Sequence, residues 1–226
     1  MESGDLTDRR FVRYRHRLIE DIRATGVDDL EILHLFDRVP RHLFLPEAQW
    51  PRAYEDAPIP IGHGQTASQP SLQALYLDVL KLAPTDRVLE IGTGSGFLTA
   101  LLALTAERVY SVERIRPLSR RARRVLDGLG IQNAALFVGD GSIGWRRFAP
   151  YDVIIVSAAS PSTPGGLVEQ LADGGRMLVP IGTQEAQELV LVRRAGDRTS
   201  EERVLDRVSF VPLLGLQGWS EDEAQV

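Results

Sequence analysis

The sequence contains no cysteine, and this absence removes several classes of function. Without a thiol the chain forms no disulfide, has no thiolate nucleophile and cannot bind zinc through cysteine. Its four histidines are scattered without any His-x-x-x-H pair, so we expect no metal site.

Long apolar segments are also lacking. No run approaches the roughly 20 residues that span a bilayer. The first residues, MESGDLTDRRFVRYRHRL, have no apolar stretch of the kind found in signal peptides. We therefore expect a cytoplasmic protein with no membrane partner.

Basic residues are not in excess either. The 26 Lys and Arg residues are outnumbered by 31 Asp and Glu, which gives a net charge of −5. Dedicated nucleic-acid binders usually have a basic excess. An arginine-rich run from Arg114 to Arg124 has helical spacing, which is typical of a solvated helix face. We expect no nucleic-acid partner.

Apolar strand-like and helical segments alternate along most of the chain. This order is typical of a doubly wound, mostly parallel α/β sheet with helices on both faces. The 226 residues suit one full-sized α/β domain or two small ones. The predicted strands are 87–92, 109–114, 135–140, 151–158 and 174–180, with a late hairpin around Gly196-Asp197. The predicted helical stretches are 8–37, 70–82, 97–106, a segment ending near Leu129, and 167–172.

We expect three segments along the chain. Residues 1–60 form an N-terminal helical appendage packed on the main domain. Residues 61–215 form the sheet domain, and residues 216–226 form an acidic tail.

A glycine-rich segment, EIGTGSG, follows the first predicted strand and begins at Glu90. A dinucleotide-binding loop would need glycine or alanine where this chain has Phe97 or Thr99. A Walker loop would need a lysine, and none is present. An acid at the strand end suits a ligand with a cationic amine better than a pyrophosphate.

Two further acids stand at predicted strand ends. Glu113 is placed where a carboxylate accepts both hydroxyls of a ribose, and Asp140 could accept from an adenine amine. Either acid alone is more typical of a helix N-cap or a solvated loop. Together with the acid at the first strand, and without a phosphate clamp, they indicate S-adenosylmethionine.

The segment PIPIGHGQTASQPSL, residues 58–72, is longer and richer in polar groups than a simple connection requires. It precedes a predicted helix that begins with Pro70. A serine at position 68 is well placed to cap that helix. The residues alone leave capping and a functional role of Ser68 both open.

Several of these segments resemble one known family. GHGQTASQP, RVLEIGTGSG, VYSVERI, VGDGSIGW, APYDVIIVSAASP and GGRMLVPIG occur in the order, and at about the spacing, of the protein-L-isoaspartate O-methyltransferases. The resemblance extends from about Phe36 to Gly215. It implies a Rossmann-like fold that uses S-adenosylmethionine to methylate L-isoaspartyl and, more slowly, D-aspartyl residues of damaged proteins. The ester then collapses to a succinimide that reopens partly to aspartate.

The resemblance also implies roles for individual residues. The methionine end of the cofactor would contact the glycine-rich segment. The ribose would contact Glu113, and the adenine would contact Asp140 and Gly141. The implied cofactor-binding residues are Glu90, Gly92, Thr93, Gly94, Glu113, Arg114, Asp140 and Gly141. The active-site serine falls on Ser68, and the substrate-binding residues are His63, Gln65, Thr66 and Ala67.

The chain departs from the commoner family pattern near the substrate cleft. The departures are Ala67, Ser71-Leu72, Ser160 and Gly165-Gly166. They leave two alternatives open: a carboxyl methyltransferase with one dedicated peptide or small-molecule client, and a non-catalytic S-adenosylmethionine-binding protein. A nicotinamide-dependent oxidoreductase is disfavoured by the glycine spacing. We expect a monomer that acts on isoaspartyl proteins and peptides.

The implied reaction explains why no acid–base residue stands out. The nucleophile is a carboxylate with a pKa of about 4, so it is ionised at neutral pH and needs no general base. Methyl transfer then depends on alignment of the reacting atoms. A dry pocket favours the reaction because negative charge on the carboxylate and positive charge on the sulfonium cancel.

We predict that Ser68→Ala lowers turnover by at least about tenfold because an orienting hydroxyl is lost. Cofactor affinity and melting temperature should change little. Steady-state kinetics, S-adenosylhomocysteine binding and thermal melts check this. Unchanged activity would remove Ser68 from the mechanism, and a large fall in melting temperature would favour the helix cap.

Overall fold

The computed structural model describes residues 9–220 and 222–223. The strands are β1 (Ile59–Gly62), β2 (Gln65–Ala67), β3 (Arg87–Ile91), β4 (Arg108–Glu113), β5 (Ala134–Val138), β6 (Tyr151–Val156), β7 (Leu171–Gly182), β8 (Gln187–Ala195) and β9 (Arg198–Val208). The helices are α1 (Arg9–Ala24), α2 (Leu30–Arg38), α3 (Pro70–Leu80), α4 (Phe97–Ala103), α5 (Arg116–Gly128) and α6 (Gly165–Val168).

Seven strands form one sheet in the order β5-β4-β3-β6-β7-β8-β9. Strands β3 to β7 pair in parallel, and β8 and β9 add antiparallel strands at one edge. The mostly parallel α/β sheet predicted from the sequence is confirmed. The late hairpin also forms, with Gly196 and Asp197 between its strands.

The two faces of the sheet are covered differently. Side chains of β3 alternate between two apolar clusters, Val88 in one and Leu89 in the other. Helices α1 to α5 contribute to the first cluster. The second is covered by α6 and by aromatic residues, among them Trp145 and Phe148. Helices lie on both faces as predicted, but α6, with only four residues, is the described α-helix that contributes to the second cluster.

The N-terminal helical stretch predicted for residues 8–37 is divided in two. Gly26 has a φ of 98°, which ends the first helix. Asp29 then caps α2, because its Oδ1 accepts from the backbone N–H of Glu31 at 3.0 Å. Residues before 9 lie outside the described part of the chain.

The N-terminal segment packs directly on the sheet domain. Phe36 and Phe44 are almost fully buried, and both meet the ring of Phe97 edge-on, at centroid distances of 5.8 and 5.6 Å. Residues of both segments belong to the same apolar cluster. The two segments therefore share one core, and the division of the chain at residue 60 stays a prediction.

One predicted helix is wrong in extent. Residues 167–172 were expected to be helical, but α6 ends at Val168 and β7 already begins at Leu171. Leu171 pairs with Tyr151 of β6. Pairing with the buried neighbouring strand therefore overrides the short helical pattern. The predicted strand 174–180 is correspondingly longer in the structure.

The predicted acidic tail is only partly covered, since residues 221 and 224–226 lie outside the described part. Before that point the chain is held, because the backbone N–H of Trp219 donates to Leu213 O at 2.7 Å. Within the described residues, no helix combines the length and apolar character needed to cross a membrane.

Gly96 stands where helices α4 and α5 approach each other. It has a φ of 88°, and a Cβ added there would lie 2.8 Å from Cβ of Ala122. Gly130 has a φ of 72° but open space around it. We predict that Gly96→Ala lowers the free energy of unfolding by about 1–3 kcal/mol more than Gly130→Ala does. Urea denaturation of both variants measures the difference, and equal losses would show that only backbone strain matters.

Candidate active site

A cavity of about 720 Å³ lies at the carboxyl ends of the parallel strands. This is where ligands bind in open α/β sheets, and the volume is typical of small-molecule sites. Its wall includes residues that follow β3, β4, β5 and β6. Of the predicted cofactor-binding residues, the structure brings together on this wall Gly92, Thr93, Gly94, Glu113, Arg114 and Gly141.

Glu113 joins the loops after β3 and β4. Its Oε2 accepts from the N–H of Gly94 and its Oε1 from the N–H of Ile115, each at 2.8 Å. The side chain is buried yet lines the cavity. Each carboxylate oxygen retains a further acceptor direction, so Glu113 can also accept from ligand hydroxyls.

Gly141 allows the chain after β5 to approach β3 closely. A Cβ at this position would lie 2.6 Å from Cγ2 of Ile91, so any side chain would push the two strand ends apart. The absence of a side chain thus allows this close approach at the cavity wall.

Glu90 lies behind the glycine-rich loop instead of on the cavity wall. It is fully buried, and its Oε2 accepts from the hydroxyls of Thr99 and Ser111 at 2.5 Å each. Its Oε1 has no partner among the described residues. Burial raises the pKa of Glu90 to about 7, with a smaller contribution from the Glu113 charge, although the two hydroxyl contacts lower it. The predicted contact of Glu90 with a ligand amine stays a prediction.

Asp140 likewise has partners within the protein. It caps the short turn that follows β5, where its Oδ1 accepts from the N–H and hydroxyl of Ser142. Its Oδ2 accepts from the N–H of Leu216 at 2.9 Å. The side chain thus ties the C-terminal segment to the edge of the cavity, and its contact with adenine stays a prediction.

The segment predicted as a loop folds into the β1–β2 hairpin. His63 and Gly64 form its turn with φ of 56° and 69°, the positive pair typical of a two-residue hairpin turn. The hairpin places all four predicted substrate-binding residues on the cavity wall: His63, Gln65, Thr66 and Ala67.

A second cavity, of about 460 Å³, adjoins the first. The two share the wall residues Thr66, Ser68, Ser157 and Val211. Ser157 and Val211 were not found by sequence reasoning. Ser157 follows β6, so examining the end of the fourth predicted strand would have identified it.

Ser68 is held by a buried arginine. The Nη2 of Arg41 donates to the backbone carbonyl of Ser68 at 3.0 Å, and its Nη1 donates to Ala53 O at 2.6 Å. Arg41 is 1% exposed, and burial lowers its pKa to about 10. The N-terminal segment therefore fixes the backbone at Ser68.

The cap of α3 comes from elsewhere in the chain. Asp56 Oδ1 accepts from the N–H of Ser71 at 2.8 Å, and the side chain of Gln69, at the cap position itself, makes no capping bond. The capping role left open for Ser68 is thus carried by Asp56, while Ser68 faces both cavities.

The residues that depart from the family pattern fall into two groups. Ala67 lines the first cavity, and Ser71 and Leu72 line the second. Ser160 is buried and donates its hydroxyl to Ser162 O, and Gly166 donates its N–H to Gln217. Ser160 and Gly166 line neither of the two cavities, so only Ala67, Ser71 and Leu72 can contact a ligand there.

The charges at the site are few. Glu113, Arg114 and His63 are the titratable side chains on the wall of the first cavity. In the described part of the chain, no three His, Cys, Asp or Glu side chains come together as a metal site.

We predict that Glu90 makes stability fall as pH rises. Its pKa is raised in the folded state, so unfolding releases a proton between about pH 4.5 and 7, and the native state loses stability across that window. Glu90→Gln mimics the neutral form and removes this loss, so its melting temperature relative to wild type should rise from pH 5 to pH 8.

Thermal melts across this pH range measure the effect. Glu107→Gln makes the same change at an exposed position and serves as the control. A constant difference between Glu90→Gln and wild type at all pH values would show that the Glu90 carboxyl does not change its protonation in this range.

The family model for protein-L-isoaspartate(D-aspartate) O-methyltransferases matches residues 13–218. The chain is 45% identical over 219 residues to the protein-L-isoaspartate O-methyltransferase of Trichlorobacter lovleyi, covering 97% of this chain and 98% of that protein. It is 50% identical over 204 residues to that of Halorhodospira halophila, covering 89% and 92%.

Solved structures agree with these relatives. One protein-L-isoaspartate O-methyltransferase superposes with a TM-score of 0.81 at 32% identity, over 90% of this chain and 67% of that chain. A beta-aspartate methyltransferase from Plasmodium falciparum, in complex with S-adenosyl-L-homocysteine, superposes with a TM-score of 0.77 at 27% identity, over 88% and 97%. The Rossmann-like methyltransferase fold is therefore confirmed. The chain belongs to the protein-L-isoaspartate O-methyltransferase family and is an S-adenosylmethionine-dependent O-methyltransferase.

Proposed function

We propose that this enzyme methylates the free carboxylate of L-isoaspartyl residues in damaged proteins and peptides, at the place where the two cavities meet. The reaction is placed there because four residues line both cavities. Ser68, Thr66 and Ser157 each bear a hydroxyl group, and each lines both the cavity of cofactor size and the second cavity beside it.

The polar groups on the wall of the first cavity suit S-adenosylmethionine. Glu113 presents a carboxylate to the ribose hydroxyls, and the backbone of Gly92 to Gly94 lines the place for the methionine end. Gly141 lines the place proposed for the adenine, and the neighbouring Asp140 retains acceptor capacity for the adenine amine. When bound, the cofactor supplies an electrophilic methyl group on a sulfonium sulfur.

The acceptor carboxylate is held by hydroxyl donors. Ser68, Thr66 and Ser157 can donate to one of its oxygens, which leaves the other oxygen as the nucleophile. No residue has to remove a proton, because the carboxylate is already ionised at neutral pH. The contribution of the chain is orientation.

Apolar side chains keep water from the same place. Leu98, Leu118 and Leu213 are almost fully buried on the wall of the first cavity, and Val211 stands at the junction. Exclusion of water favours transfer, because the reactants carry opposite charges that disappear in the products. A serine hydroxyl suits this environment better than a charged residue, which would have to be desolvated.

In an isoaspartyl residue the main chain runs through the β-carbonyl, so the methyl ester forms on the α-carboxyl and makes the α-carbonyl a better electrophile. Attack by the following backbone nitrogen then releases methanol and closes a succinimide, which hydrolyses partly to normal aspartate. The protein has only to make the ester, so no residue need be assigned to this second stage.

We also propose that the enzyme acts as a monomer in the cytoplasm and that neither nucleic acid nor a membrane surface is its partner. The net charge of −5 disfavours nucleic acid and membrane surfaces as partners, since both of those surfaces are negatively charged.

The test uses S-adenosylmethionine and two peptides of one sequence that differ only in an isoaspartyl or aspartyl linkage. We expect a base-labile methyl ester on the isoaspartyl peptide alone, followed by the succinimide, because the proposed methyl acceptor is the isoaspartyl carboxylate. Mass spectrometry follows both products.

Ser68→Ala is the matched control, since it should keep S-adenosylhomocysteine binding and lose transfer. Two outcomes would contradict the proposal. One is equal methylation of both peptides. The other is tight S-adenosylhomocysteine binding with neither peptide methylated, which would indicate a single dedicated client.

A further inference from the structure

The wall of the second cavity carries a single charged side chain among the described residues, that of Arg207. The other wall residues are apolar or bear hydroxyl and amide groups, such as Leu72, Phe210 and Gln69. A cavity of this composition accepts a peptide largely without regard to sequence. The one charge on its wall is therefore the feature most able to discriminate between substrates.

Arg207 lies near the end of β9, and its side chain is exposed. No carboxylate of the described residues pairs with it, whereas Arg203 on the same strand pairs with Glu188 at 3.0 Å. Asp56 accepts from two residues of the second cavity wall, Ser71 and Gln69, and is held there. The guanidinium is thus available to a ligand.

A second cation stands behind the wall. Arg41 is buried and donates to the carbonyl of Ser68, which lines the second cavity. Its charge is opposed by the nearby carboxylate of Asp56, and its donors are directed at backbone carbonyls, so it adds little positive potential to the cavity. Arg207 thus remains the one charged side chain on the wall of the second cavity among the described residues.

We propose that Arg207 makes this enzyme prefer isoaspartyl sites with an acidic residue close by in the chain. The inference rests on the proposed function, because it takes the second cavity as the place of the peptide. An arginine binds a carboxylate through paired N–H groups. An extended peptide advances about 3.3 Å per residue, so the acidic residue lies within a few positions of the isoaspartate.

The contact should affect binding and leave the chemical step unchanged. Arg207 does not line the first cavity, so it is remote from the methyl group. An interaction made equally in the ground state and the transition state changes KM and leaves kcat unaltered. Because the guanidinium is exposed, we expect a KM difference of about 1.5- to fivefold.

The experiment uses isoaspartyl peptides of one parent sequence. Gln, Glu or Lys is placed in turn at each of the three positions before and the three positions after the isoaspartate. We expect Glu to lower KM about 1.5- to fivefold relative to Gln at one or more of these positions, with kcat unchanged. Lys at the same position should raise KM.

Two variants assign the preference to Arg207. Arg207→Gln should abolish it, and Arg207→Glu should reverse it so that Lys is preferred. Arg203→Gln removes a neighbouring arginine that does not line the cavity and should keep the wild-type preference. Circular dichroism and turnover of the parent peptide confirm that each variant is folded.

Equal KM values for Gln, Glu and Lys at all six positions would overturn the inference, as would a preference that persists in Arg207→Gln. Failure of the proposed function is distinguishable from either result. In that case the parent peptide itself, with Gln at every tested position, is not methylated.

Discussion

The carboxylate of Glu113 is the contact on which the cofactor cavity depends. It accepts from the N–H of Gly94 and from that of Ile115, so it holds the loop after β3 at a fixed distance from the start of α5. A buried carboxylate is costly unless such donors surround it. A Cβ on Gly92 would touch Ser157, which shows how closely this loop approaches the end of β6. The two cavities meet at that residue.

The acceptor side of the site depends on the N-terminal segment. Arg41 lies before the sheet domain yet donates to Ser68, and Asp56 caps the helix that follows it. The reaction needs orientation and no general base. A displaced Ser68 backbone would therefore misalign the acceptor carboxylate and slow methyl transfer. This gives the helical appendage a function beyond covering the sheet, and its shared core with Phe97 keeps these contacts in place.

Much of this site could be predicted because strand ends are local features. Glu113 and Gly141 follow apolar strands, and parallel strands bring their carboxyl ends to one edge of the sheet. The same rule, applied to β6, would have found Ser157. Glu90 shows where the rule is insufficient. It satisfies the pattern, but it is the penultimate residue of β3, and its side chain points to the hydroxyls of Thr99 and Ser111 behind the loop. A position near a strand end therefore does not by itself place a side chain on the cavity wall.

The sequence by itself determined the α/β class, the glycine-rich loop and the segment that contains Ser68, because apolar periodicity, glycine spacing and turn residues act over a few positions. The tertiary structure alone decided which groups occupy the cavities. Three features join distant segments. Asp56 caps a helix from 15 residues away, and Arg41 contacts Ser68 over 27 residues. Arg207 and Ser68 line the wall of the same cavity. Such contacts follow from packing of the whole chain, since only the folded core brings these segments within reach of one another.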